Sequence, residues 1–140
     1  MELLKNWFLS ARPWSFTMTV ISVSVGSALA AGEGGFSWPL YLLAVLGAVL
    51  MHAGTNLVND YYDTRFGVDT VDAETAKYRP HVIVHGLIPA RQVLTAGLGC
   101  FAAAAAVGVY LALVCGAMVL FIGAIGVIAG LGYTAPPLKY

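Results

Sequence analysis

Four apolar stretches, at about 14–31, 40–63, 91–113 and 117–133, restrict this chain more than anything else in it. A hydrocarbon core about 30 Å thick takes about 20 helical residues to cross. Inside it every backbone N–H and C=O must find a partner within the protein. Stretches of this length meet both conditions as α-helices. Only 10% of the residues are charged and 59% are apolar, which places the chain in a lipid bilayer and not in water. The expected fold is all-α, a polytopic membrane bundle of about four transmembrane helices. A net charge of zero without a basic cluster excludes a nucleic-acid-binding face.

The connections agree with four spans. Lys5, Arg12, Arg65, Lys77, Arg79, Arg91 and Lys139 are all the basic residues, and an even number of crossings puts every one on the same side. The opposite turns, 32–39 and 114–116, carry none. By the positive-inside rule the basic side is cytoplasmic, in a cell inner membrane. Residues 1–13 place Leu3, Leu4, Trp7 and Phe8 at helical spacing beside Lys5 and Arg12, as in a helix lying at the interface. Pro13 suits the first turn of the helix that follows. Ser22, Gly26 and Ala30, and Gly126 and Gly130, form small-residue seams for close helix packing. A cleaved leader is the competing reading of residues 1–30, with A-L-A at 28–30 as the cleavage-like site. The rest of the chain is itself membrane-like, so such a leader would have no soluble domain to deliver. Cys100 and Cys115 fall in one helix roughly 22 Å apart, too far to bridge.

The chemistry concentrates at 56–69, N-L-V-N-D-Y-Y-D-T-R-F-G-V-D. Asn56, Asn59, Asp60 and Asp63 stand at i, i+3, i+4 and i+7, on one helical face. Asp69 follows two residues after Gly67. Carboxylates gathered at the end of a membrane helix need compensation. A hard divalent cation such as Mg2+ supplies it, since it takes carboxylate oxygens and fills its shell with water and phosphate. A polar helix end meeting water is the plainer alternative. The loop at 64–90 adds Arg65, Lys77, Arg79, His81 and His85 to Asp69, Asp72 and Glu74. It reads either as a solvated loop of mixed charge or as a lid over an anionic ligand. His52 reads as a hydrogen-bonded packing residue. On residues alone, a four-span transporter or accessory membrane subunit, with the carboxylates as an ion path, stays open beside an enzyme.

Four separated motifs carry a resemblance. R-P-W-S-F at 12–16, N-L-V-N-D-Y-Y-D-x-x-x-G-x-D-T at 56–70, I-V-H-G-L-I at 83–88 and Y-T-A-P-P-L-K-Y at 133–140 resemble the UbiA superfamily of intramembrane prenyltransferases. The nearest branch prenylates 1,4-dihydroxy-2-naphthoate in menaquinone biosynthesis. The resemblance implies a bundle of about nine helices with two aspartate-rich motifs that hold Mg2+ against a prenyl diphosphate. Asn59 and Asp63 match the first motif. Gly67 stands where a later aspartate is usual, with Asp69 in its place and Asp60 as an extra carboxylate. Tyr133 and Lys139 are implied to face the pocket. His85 stands where a serine or basic residue precedes the glycine, and His81 lies near a usual arginine. The chain carries one aspartate-rich motif, so it is expected to be the N-terminal half of such an enzyme, inactive alone and needing a C-terminal half or partner chain.

The expected chemistry follows. Asn59, Asp60, Asp63 and Asp69 would hold the metal, with Asp63 and Asp60 the catalytic pair. Arg12, Lys77 and Arg79 would share the charge of the diphosphate leaving group, and Asn56 would also touch substrate. An allylic cation in a dry cleft would meet an electron-rich aromatic acceptor. Tyr61, Tyr62 and Tyr133 are the candidates to stabilise it by cation–π attraction.

Overall fold

The computed structural model describes residues 2–71, 81–133 and 135. Those residues form helices and turns, with no strand among them. An amphipathic helix α1 (Glu2–Ala11) leads through a 3-10 turn (Pro13–Ser15) into α2 (Phe16–Gly32). Then come α3 (Trp38–Arg65), α4 (Ala90–Cys115) and α5 (Met118–Gly132). Three stretches, Glu2–Gly32, Trp38–Arg65 and Ala90–Cys115, are long and apolar enough to cross a membrane. The last helix is equally apolar but only 15 residues long, short of the roughly 20 that a perpendicular crossing takes. Most large apolar side chains on the helices face outward, among them Leu29, Leu113, Ile122 and Ile128. In water such a surface would aggregate, whereas lipid tails solvate it.

Helix α3 is the centre of the bundle. It packs most extensively on α4, and α1, α2 and α5 also lie against it. Its contact with α4 rests on two glycines. A Cβ at Gly54 would stand 3.0 Å from the Gly97 carbonyl oxygen and from the Phe101 ring, and one at Gly97 would stand 3.0 Å from Val58 Cγ2. The obstacle is partly backbone, so no side-chain rotation relieves it, and any larger residue pushes the helices apart.

The two small-residue seams behave differently. Gly126 meets Met51 Sδ at 3.1 Å and Gly130 meets Thr55 Oγ1 at 2.7 Å, both measured from a Cβ placed on the glycine, so the α5 seam lies against α3. The α2 seam does not pack: Ser22, Gly26 and Ala30 are exposed, and a Cβ at Gly26 would meet nothing within 4 Å. Helix α2 leans on α3 through its polar side instead, where the hydroxyls of Ser24 and Tyr41 lie 2.8 Å apart. In lipid a buried hydroxyl pair is an attraction between helices that apolar side chains cannot supply. Cys100 and Cys115 are both free, on α4.

The end of the bundle where α3 finishes and α4 begins is closed by an apolar plug. Leu57, Val82, Ile88 and Val93 are buried together, with Trp7 of α1 and Cys100 packed against them. Val82 and Ile88 belong to the turn before α4. Gly86, at φ 66°, lets Leu87 N–H reach the Val82 carbonyl at 2.8 Å and ends that turn. Full burial of each such side chain from water is worth about 1.5–3 kcal/mol. The polar loop is thereby anchored at its C-terminal end, and α1 is docked by Trp7 while Leu3, Leu4 and Phe8 remain exposed.

Candidate functional site

The acidic face of α3 ends in a glycine cap. Gly67 takes φ 72°, its N–H donates to the Thr64 carbonyl at 3.2 Å, and Val68 N–H donates to the Asp63 carbonyl at 2.8 Å. This closure turns the chain back along the helix. Asp69 N–H then donates to the same Asp63 carbonyl at 3.2 Å. Gly67 therefore does more than loosen the backbone: its left-handed conformation returns Asp69 to the acidic face.

Arg12 arrives from the other side. It is the one non-glycine residue with positive φ, 55°, among the described residues. Pro13 explains the break, because the residue before a proline is pushed out of the right-handed helical region. A left-handed residue costs about 1–2 kcal/mol, and a hydrogen-bond strap holds it. Ser15 Oγ donates to the Arg12 carbonyl at 2.7 Å. With that proton committed, His52 Nε2 is the donor to Ser15 Oγ at 3.1 Å. His52 Nδ1 then accepts from Thr19 Oγ1 at 2.7 Å. His52 is thus the hydrogen-bonded packing residue that the sequence suggested, and the strap defines its tautomer. Asn56 joins the same strap, donating to the Ala11 carbonyl at 2.8 Å. Its amide serves the junction of α1 and α2 and not the carboxylate cluster.

Held this way, the Arg12 guanidinium pairs with Asp60 Oδ1 and donates to Asn59 Oδ1 at 3.1 Å. Asn59 Nδ2 donates in turn to Asp63 Oδ2 at 2.7 Å. Asp60 is fully buried and Asp63 is half-buried. The cluster thus contains Arg12, Asn59, Asp60, Asp63 and Asp69, drawn from the α1–α2 junction, the end of α3 and the turn after it. His81 completes it. Its side chain is 1% exposed, with Nε2 at 3.0 Å from Asp69 Oδ2 and 3.7 Å from Asp60 Oδ1. No local pattern assigns His81 to the cluster, because it lies twelve residues beyond Asp69 and in no helical register with α3. The available signal was the apolar run Val82–Val84 beside it, which marks an anchored turn within a polar loop.

The other expected site residues lie apart or outside. Tyr133 is exposed at the end of α5. Lys77, Arg79 and Lys139 lie outside the described residues. Tyr61 and Tyr62 are half-buried. The Tyr61 hydroxyl accepts from Arg65 at 2.9 Å, and Tyr62 stacks on Phe66 with ring centroids 5.8 Å apart, as interfacial tyrosines do. Along the membrane-embedded part of α3, a cleft of about 670 Å³ opens against α4 and α5, walled by residues such as Gly47, Met51, Val107, Gly123 and Gly126. Helix α3 therefore carries a charged, partly buried cluster at its C-terminal end and borders a separate apolar cleft farther back along its length.

The sequence pattern of the UbiA prenyltransferase family matches residues 19–140. The chain belongs to that family. Enzymes of that family generally use a divalent metal. Among characterised relatives, a UbiA prenyltransferase domain-containing protein 1 from Xenopus tropicalis is 31% identical over 71% of this chain and 29% of its own length. The 1,4-dihydroxy-2-naphthoate octaprenyltransferase of Bacillus subtilis (strain 168) is 30% identical over 94% of this chain and 41% of its own length. The human UbiA prenyltransferase domain-containing protein 1 is 43% identical over 46% of this chain and 19% of its own length. The chain thus spans well under half the length of these UbiA relatives. No solved structure matches it significantly.

Proposed function

We propose that this UbiA chain carries the first diphosphate-binding motif of an enzyme that transfers a polyprenyl group from a prenyl diphosphate to an aromatic acceptor, with 1,4-dihydroxy-2-naphthoate as the acceptor. The observation that carries the reading is the convergence of Asn59, Asp60, Asp63 and Asp69 with Arg12 in one cluster at the end of α3. The cluster's carboxylates are hard oxygen donors that suit Mg2+, so the donor set fits the metal. Asp63 and Asp69 are the proposed ligands, with Asn59 beside them, and Asp60 is committed to Arg12. Bound Mg2+ supplies charge neutralisation for the diphosphate.

The chain's own groups account for the rest of the chemistry. The Arg12 guanidinium adds a fixed positive charge beside the leaving group. The allylic C–O bond breaks, and its electron pair departs with diphosphate. The acceptor ring attacks the allylic carbon, a C–C bond forms, and the ring loses a proton to regain aromaticity. The apolar cleft along α3 offers a place for the prenyl chain away from water. An ion-path reading of the same carboxylates would need them within the span, and they sit at its polar end.

The test is direct. A purified protein carrying this chain within the full length of its relatives is given Mg2+, a polyprenyl diphosphate and 1,4-dihydroxy-2-naphthoate. Prenylated naphthoate and diphosphate are expected in equal amounts, and chelation is expected to stop both. Product that forms unchanged after chelation would refute the metal reading, and absence of product would refute the acceptor.

The head of the site is proposed to face the cytoplasm, since Lys5, Arg12, Arg65 and Arg91 all lie toward that end of the bundle. A reporter fused after Gly34 is expected to read as external and one after Thr75 as internal. The same side for both would end this orientation.

A further inference from the structure

The side chains of Asp60, Asp69 and His81 bring three donor atoms within 4.8 Å of one another, a spacing that invites a metal with an imidazole ligand. The ring's second nitrogen argues against it. Val84 N–H donates to His81 Nδ1 at 3.4 Å, so the ring proton sits on Nε2 and is directed at Asp69 Oδ2, 3.0 Å away. A histidine that ligates through Nε2 carries its proton on Nδ1 and donates it to an acceptor. Here Nδ1 meets a donor.

We propose that His81 is a positioning residue: its Nε2–H holds the Asp69 carboxylate in place for a divalent cation and does not itself bind that cation. Three features build the arm. The His81 ring is fully buried, so its direction is set by packing. Val82 and Ile88 fix the backbone beside it in the apolar plug. His81 N–H donates to His85 Nδ1 at 3.1 Å, closing the turn over the ring. One turn before Asp63 on α3, Asn59 holds that carboxylate in a comparable way, donating to Oδ2 at 2.7 Å. One oxygen of each carboxylate is therefore held by a side-chain donor, from the same helix for Asp63 and from the turn before α4 for Asp69. Asp69 has the greater need, since it lies in the turn beyond α3 and not on the helix.

This inference rests on the reading of the cluster as a cation site, and it is tested without substrate. Mn2+ serves as the probe, in the protein held in detergent. Pulsed EPR of bound Mn2+ in the wild type is expected to show no directly coordinated nitrogen, and directly coordinated nitrogen would overturn the proposal. His81→Phe keeps the ring volume and removes the donor. Its Mn2+ affinity is expected to fall about 10- to 100-fold, the usual effect of losing a group that orients a ligand. His81→Gln restores a donor and is expected to recover most of that loss. Equal affinity in wild type and His81→Phe would sink the positioning role while leaving the cation site standing. No Mn2+ binding in the wild type would remove the cation site and this inference with it. A merely structural histidine would not be rescued by glutamine, and a loss of the same size in both variants also overturns the proposal.

Discussion

Asp63→Asn is expected to lower turnover about 100- to 1,000-fold while the protein folds as before. The scale is that of removing one preorganised electrostatic contact from a developing negative charge. Asparagine matches the carboxyl group in shape. The Asn59 amide, now 2.7 Å from Asp63 Oδ2, still finds an oxygen in the variant. What disappears is one negative charge from the cluster, and with it a proposed metal ligand. The measurement is kcat in the transfer assay, with thermal unfolding as the check on folding. Glu33→Gln is the control, because Glu33 follows the last residue of α2 at the other end of the bundle. Equal losses for the two variants would mean that overall charge matters and this position does not.

Asp60→Ala is expected to act on stability first, with a loss of about 3 kcal/mol, the lower end of the range for breaking a buried pair. Asp60 is fully buried, and its carboxylate faces Arg12 directly and His81 at 3.7 Å. Alanine leaves the guanidinium beside a cavity without its counter-charge. The lower end applies because the Arg12 side chain is 26% exposed, so water recovers part of the loss. The consequence spreads, since Arg12 ties the α1–α2 junction to α3. Unfolding in detergent by heat or denaturant gives the difference, and Asp60→Asn, which keeps an acceptor for Arg12, is expected to lose less. If alanine proved as stable as the wild type, Asp60 would be no anchor, and its place among the metal ligands would return.

The two carboxylates differ although three residues separate them on one helix face. That difference was not legible in the motif. N-D-Y-Y-D shows two acids of similar spacing, and both were expected to hold metal and to act in catalysis. Whether an acid meets a cation or an arginine depends on what packs over the helix. Arg12 is 48 residues away in the chain from Asp60, and no local pattern carries that contact.

Other features divide along the same line. The helices, their polar ends and the shared face of Asn59, Asp60 and Asp63 follow from periodicity and from the cost of unpaired backbone in lipid. Both are local, so they can be counted along the chain. The R-P step at Arg12 likewise announces a break, since the steric clash lies within one dipeptide. Partner choice is not local. Two seams of small residues look alike in sequence, yet Gly126 and Gly130 lie against α3 while Ser22, Gly26 and Ala30 are exposed. A seam of small residues permits close approach without naming the helix that approaches. His81 enters the site for a comparable reason. The apolar plug of Leu57, Val82, Ile88 and Val93 draws its turn against α3, and burial of those neighbours, not any property of histidine, sets where the imidazole points.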